Sequence, residues 1–123
     1  MNVIETKDAP AAIGPYSQAM ITGGLLFTSG QIPINPANGT IEAEDIKGQT
    51  EQVLKNIDAV LREAGTGPER VVKTTCFLQN MGDFAAFNAV YEQYFVNKPA
   101  RSCVEVGALP KGALVEIEVI AEV

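Results

Sequence analysis

The last ten residues constrain the fold more than any other stretch. From Leu114 to Val123 apolar and mostly acidic positions alternate. Val115, Ile117, Val119, Ala121 and Val123 line one side, and Leu114, Glu116, Glu118, Ile120 and Glu122 the other. An unbroken apolar row at period two is a strand with one buried face. Something must cover that row, and two segments are suited to it. Between Asp45 and Ala64, the residues Ile46, Val53, Leu54, Ile57, Val60, Leu61 and Ala64 recur at helical spacing. Gly65 is placed to cap this helix and Pro68 prevents its resumption. A second helix is expected to start at Asp83 as its N-cap. Phe84, Phe87, Tyr91, Tyr94 and Phe95 then form an aromatic stripe whose ordinary reading is core packing.

The remaining segments read as strands. Tyr16–Thr22 and Leu25–Ser29 flank Gly23-Gly24, a two-residue hairpin signal. Pro36-Ala37-Asn38-Gly39 marks a further turn. Val71–Gln79 is rich in β-branched residues, and Arg101–Val106 alternates. This order predicts one domain over residues 1–123, an α+β sandwich with both helices on one face of a single sheet. Parity assigns Val72, Thr74, Cys76, Leu78, Val104 and Val106 to the helix side. Lys73, Thr75, Phe77, Arg101, Cys103, Glu105, Leu114 and Glu116 fall on the open side. An uncovered face with apolar residues among charges points to a homo-oligomer; a monomer with one solvated face is the alternative.

The chain contains no histidine. That removes the commonest base near neutral pH, the Ser-His-Asp and Cys-His arrangements and most catalytic zinc sites. Chemistry falls to carboxylates, Arg, Lys, Tyr, Cys, Ser, backbone groups and water. Nine Lys and Arg against 15 Asp and Glu give a net charge of −6, which disfavours a nucleic-acid footprint and anionic membranes. Cys76 and Cys103 are too few for a disulfide framework and lack metal-site spacing. No apolar stretch approaches the ~18 residues of a membrane span, and Met1–Glu5 lacks a secretion signature. A reduced, cytoplasmic chain without metal is expected.

A guanidinium at Arg101, at the start of a half-buried strand, needs a carboxylate or phosphate partner. Its planar fork suits bidentate capture of a substrate carboxylate. Glu105, Glu116 or a neighbouring subunit could equally supply a structural ion pair. Cys103 is either a small residue lining a pocket or, beside Arg101, a thiol of lowered pKa. Without a histidine base, protease-like thiol catalysis is closed to it. Partial burial would raise the pKa of Glu116 into a useful acid–base range. Glu118 fits the same description, and pattern does not choose between them. Ser29-Gly30 ends a strand where glycine either admits a ligand to backbone N–H groups or simply turns. Gly14-Pro15-Tyr16 is a rigid turn presenting an aromatic. Asn88 interrupts the aromatic stripe as a structural cap or a pocket amide, because a buried amide needs partners.

Four motifs, taken together, resemble the Rid family, the reactive intermediate deaminases also called YjgF-like proteins. They are Ala9-Pro10-Ala11-Ala12-Ile13-Gly14-Pro15-Tyr16-Ser17-Gln18, Phe27-Thr28-Ser29-Gly30-Gln31-Ile32-Pro33, Pro99-Ala100-Arg101-Ser102-Cys103-Val104-Glu105-Val106, and Leu109-Pro110-Lys111 leading into Val115-Glu116-Ile117. The retained Pro-Ala-Arg-Ser is similar to the archetypal RidA branch. The resemblance implies a chorismate-mutase-like sandwich: one mixed sheet with two helices on one face, assembled as a homotrimer around a central barrel, with clefts between subunits. It implies hydrolysis of enamines and imines such as 2-aminoacrylate, 2-iminobutanoate and 2-iminopropanoate to 2-oxo acids and ammonia, with no cofactor and no metal. It places the carboxylate-binding arginine on Arg101 and the water-activating acid on Glu116. Substrate-binding positions fall on Tyr16, Ser29, Gly30 and Cys103, with Phe84 and Asn88 as pocket-lining matches. One departure is the short loop Tyr94–Pro99, with Lys98 where many relatives carry Phe. The alternatives are a metabolite-binding regulatory trimer without important turnover, or an RNA-directed translation inhibitor or ribonuclease; the charge and the lack of histidine weigh against RNA. A chorismate mutase would need more cationic groups around its dicarboxylate than Arg101.

Overall fold

A computed structural model describes residues 1–123. Helix α1 spans Ile46–Glu63 and starts where expected, with the Asp45 side chain accepting the Gly48 N–H at 2.8 Å. It ends at Gly65, whose φ of 77° lets the Thr66 N–H return to the Leu61 carbonyl at 2.9 Å. Helix α2 spans Phe84–Tyr94. Asp83 precedes it, but its carboxylate makes no capping bond. Its backbone already has helical angles, because a 3-10 turn over Met81–Asp83 leads directly into the helix.

Eight strands follow the chain: β1 (Asn2–Ile4), β2 (Ala19–Thr22), β3 (Leu25–Thr28), β4 (Ile34–Asn35), β5 (Thr40–Ile41), β6 (Val71–Leu78), β7 (Ala100–Glu105) and β8 (Val115–Glu122). Six form one mixed sheet in the order β1-β2-β3-β8-β6-β7, parallel only between β6 and β7, which α2 joins as a crossover. Strands β4 and β5 pair separately around the Pro36–Gly39 turn. The Gly23-Gly24 hairpin has positive φ at both positions, which its tight turn requires. Strands β1, β4 and β5 were outside the expected set, because two or three residues carry no period. Strand β2 begins later than expected. The residues before it are tied to the N-terminal segment by Gln18, which donates to the Thr6 and Pro10 carbonyls at 3.0 and 2.8 Å and accepts from the Thr6 N–H at 2.7 Å.

The apolar row of β8 is buried through Val115, Ile117, Val119 and Ala121, beneath Val53, Ile57, Val60 and Leu61 of α1 and Phe87 and Tyr91 of α2. Val123 lies beyond the strand, and Leu114 packs against the core instead of joining the open face. Two further parity assignments need correction. A bulge between Val71 and Lys73 turns Val71 into the core and leaves Val72 43% exposed. In β7 the whole assignment is reversed. Thr74, Cys76 and Leu78 pair with Arg101, Cys103 and Glu105, so these three lie on the helix side, while Val104 pairs with Phe77 and is 45% exposed on the open side. Apolar Val104 was a poor guide because the open face is itself apolar. No helix is long and apolar enough to cross a membrane.

Asn56 fixes the loop that follows β3. It is fully buried on α1, donates to the Ile32 and Ile34 carbonyls at 3.1 and 2.9 Å, and accepts from Gln52 at 3.0 Å. Asn56→Ala strands two acceptors and is expected to cost about 2 kcal/mol in urea-induced unfolding.

Candidate functional site

Arg101 leaves the edge strand β7 toward α2. Phe84, Asn88 and Tyr91 lie on one face of that helix at helical spacing and form a cradle for the guanidinium. Its Nη1 donates to Asn88 Oδ1 at 2.7 Å. Its Cζ lies 4.7 Å from the Tyr91 ring centroid and 5.4 Å from that of Phe84. No carboxylate of the chain pairs with it: the ion pair of the molecule is Arg62–Asp58, on α1. Glu105 instead accepts the Met81 N–H at 2.7 Å. The expected structural ion pair within the chain is therefore absent, and most of the guanidinium's donors stay open to an outside acceptor.

Cys103 sits on the same side, paired across the ladder with Cys76. Both thiols are free. Burial raises the Cys103 pKa, and the opposing influence of Arg101 is smaller, which favours the pocket-wall reading over the alternative of a thiol of lowered pKa. Burial pushes Cys76 up to about 12. These are protonated wall groups, not thiolates.

The other candidates gather on the opposite side of the sheet, where Glu116 pairs with Phe77. A cavity of about 690 Å³ is lined by Tyr16, Ser29, Gly30, Lys111, Glu116 and Glu118. An adjoining hollow of about 800 Å³ shares Ala11, Tyr16 and Gln18 with it and is otherwise walled by the N-terminal segment and Pro36. Gly30 lies flat against the Glu116 carboxylate. A Cβ there would sit 2.7 Å from Glu116 Cδ, so glycine is required for the acid to lie across the backbone. The Gly30 N–H makes no bond within the chain. The Ser29 hydroxyl donates to the Ser17 carbonyl at 2.6 Å and so presents its oxygen as an acceptor. Burial raises the pKa of Glu116, as expected, and the neighbouring charge of Glu118 adds to the rise. The short loop before β7 closes with the Lys98 N–H on the Phe95 carbonyl at 3.1 Å, with Lys98 at φ 54°. No group of three or more Cys, Asp or Glu side chains is arranged to hold a metal ion.

The predicted site residues thus form two half-sites. Arg101, Cys103, Phe84 and Asn88 come together beside α2, and Tyr16, Ser29, Gly30 and Glu116 come together on the open side. The expectation that Arg101 and Glu116 share a face is not met. Tyr91 and its hydroxyl partner Thr74, at 2.7 Å, also belong to the arginine's surroundings and were missed as site residues. The spacing of Phe84, Asn88 and Tyr91 was the available signal.

An unpaired arginine on an aromatic cradle makes this a small α+β protein with a ready-made receptor for an anion. The relationship to known proteins is closer than that. Residues 6–123 match the family model described as Endoribonuclease L-PSP. A 2-iminobutanoate/2-iminopropanoate deaminase of Salmonella typhimurium is 48% identical over 96% of this chain and 94% of its own length. AldR of Lactococcus lactis, named as a regulator, is 59% identical over 100% of this chain and 98% of its own. The crystal structure of YyfA, a Rid family protein of unknown function from Yersinia pestis, superposes with a TM-score of 0.97 at 60% identity, covering 99% and 98% of the two chains. E. coli TdcF with bound serine gives 0.95 at 43%, covering 100% and 99%. The chain belongs to the Rid (YjgF/RidA) family.

The raised pKa of Glu116 has a thermodynamic sign. The fold holds the protonated form more tightly than the unfolded chain does. That stabilisation is present below the unfolded pKa and is lost as pH rises through the folded one. Glu116→Gln, which cannot ionise, is expected to melt above the parent at neutral pH and close to it below the ordinary glutamate value of 4.5. Glu118→Gln is expected to lower the Glu116 pKa in a carboxyl NMR titration.

Proposed function

We propose that this chain hydrolyses small 2-imino acids and their enamine tautomers, of the 2-iminobutanoate/2-iminopropanoate class, to 2-oxo acids and ammonia without a cofactor. The observation that carries this reading is the Arg101 guanidinium, held by Asn88 and two rings with no carboxylate of its own. A bound α-carboxylate would meet its open edge bidentately. The deaminase named among the relatives supports this reaction, and the serine in TdcF supports a ligand of amino-acid size.

One chain cannot close both half-sites on one ligand, because Arg101 and Glu116 stand on opposite sides of the sheet. The proposed solution is a homotrimer. Each cleft takes Arg101, Cys103, Phe84 and Asn88 from one subunit and Tyr16, Ser29, Gly30 and Glu116 from the next. The uncovered face, with Phe27, Val72 and Val104 each more than 40% exposed, supplies an apolar surface for such contacts.

In that cleft the reaction proceeds as follows. Arg101 fixes the substrate carboxylate and thereby the C=N carbon. The free Gly30 N–H holds a second oxygen. Water adds to the imine carbon, passing a proton to Glu116 as its C–O bond forms. Glu116 returns that proton to nitrogen, giving the carbinolamine; it then takes the hydroxyl proton and delivers it to the amine, so that the carbonyl forms, the C–N bond breaks and ammonia leaves. Its raised pKa makes the Glu116 carboxylate a better proton acceptor than an ordinary surface glutamate. Cys103 walls the pocket with a neutral thiol. A cytoplasmic setting belongs to the same proposal, beside the pyridoxal-phosphate enzymes that release such imines. AldR's name favours a second reading, in which the same pocket senses a metabolite. A turnover assay separates the two. RNA cleavage, which the family model's description names, has no histidine and no excess of positive charge to support it here.

Arg101→Ala is expected to lose about 2–4 kcal/mol of transition-state stabilisation, tens- to a thousandfold in kcat/KM, with circular dichroism unchanged. Arg101→Lys is expected to fail nearly as badly because the fork is lost, and Cys103→Ser to be mild. The shared cleft is tested by complementation. Arg101→Ala and Glu116→Gln, each inactive alone, are expected to regain about one quarter of parental activity when co-refolded one to one, since a quarter of randomly mixed clefts combine the two intact halves. Full activity of a folded Arg101→Ala protein in imino-acid hydrolysis would reject the reading.

A further inference from the structure

We infer that Tyr91 is a positioning residue: its ring, anchored through its hydroxyl to Thr74, holds the Arg101 guanidinium in the plane that receives a carboxylate. This deepens the reading of Arg101 given above and rests on it. Tyr91 is buried, at 6% exposure, and packs among Phe87 and Phe95 at centroid distances of 5.5 and 4.7 Å. A core aromatic needs nothing more. Tyr91 does more, because it is the closer of the two rings to Arg101, 4.7 Å against 5.4 Å for Phe84.

The ring is also locked. Its Oη lies 2.7 Å from Thr74 Oγ1. Thr74 is fully buried and is the residue paired with Arg101 in the parallel ladder of β6 and β7. One residue therefore stands beside the arginine's backbone and also anchors the ring beneath its side chain. Strand β6, strand β7 and helix α2 form a closed mechanical loop at this point. Asn88 takes one Nη1 hydrogen and Tyr91 supports the guanidinium, so the remaining N–H donors stay free along its edge. An unsupported arginine would lose rotamer freedom on binding; here that ordering is built in before a ligand arrives. A purely packing role would be filled as well by phenylalanine over valine, with no hydroxyl pair in the core.

The test uses the full-length chain and pyruvate as probe. In the parent, the Arg101 Nε–H resonance is expected to be displaced by the ring current. Tyr91→Leu is expected to lose that displacement and to raise the pyruvate Kd, and the KM for imino acid, about tenfold, with little change in kcat. Tyr91→Phe keeps the ring and is expected to restore most of the affinity. Thr74→Val keeps the volume, frees the ring and is expected to give a smaller loss in the same direction. A folded Tyr91→Leu protein with unchanged resonance and unchanged Kd overturns the inference. If Tyr91→Leu does not fold, unchanged values in Thr74→Val overturn it. The resonance is read without any ligand. A parent that shows the ring-current displacement but neither binds pyruvate nor turns over imino acid therefore rejects the deaminase reading and upholds the Tyr91–Arg101 contact.

Discussion

Pressing the apolar row of β8 beneath α1 dictates the remaining placements in this chain. Val115, Ile117 and Ala121 are fully buried there, and Val53, Ile57, Val60 and Leu61 meet them from the helix. Removing such side chains from water is the dominant favourable contribution to folding, roughly 25 cal/mol per Å². Once the parity of β8 is fixed, pairing propagates it. Thr74, Cys76 and Leu78 of β6 must lie on the helix side, and β7, in parallel register with β6, must send Arg101 and Cys103 the same way.

That propagation divides the chemistry. Glu116 alternates with the buried odd-numbered row of β8 and so points away from the helices. The cation and the acid then occupy different surroundings. Arg101 rests against two aromatic rings and an amide, where a planar, weakly hydrated cation is well accommodated. Glu116 lies half-buried against Gly30 with a second carboxylate nearby, where its charged form is disfavoured. Each half-site is prepared for one part of a small ligand, and neither satisfies the other.

Buried polar side chains keep these halves in place. Asn56 ties the loop after Gly30 to α1, Gln18 ties the N-terminal segment to the start of β2, and Thr74 ties α2 to β6 through Tyr91. No buried side-chain polar atom lacks a partner. Such groups are costly when unpaired, so each acts as a positional constraint on the loop or helix it meets.

Much of this was legible along the chain. Asp45 and Gly65 bound α1 through contacts a few residues away, the Gly23-Gly24 turn needed only its own φ angles, and β8 announced its face by strict alternation. The candidate residues were also legible, in part from chemistry and in part from family motifs. Three things were not. The β6 bulge moved Val72 outward, and nothing local distinguishes it from Val71. Strand β7 mixes apolar and polar residues on both parities, so its face is decided by hydrogen bonding to β6, more than twenty residues earlier. Tyr91 looked like core because periodicity reports which helix face is buried, not which cation reaches it from another strand. The sequence by itself determined the helices, the main strands and the inventory of reactive groups, since these depend on short-range geometry and composition. Only the tertiary structure decided that Arg101 and Glu116 part company across the sheet, because side-chain facing is a property of paired strands and not of either strand alone.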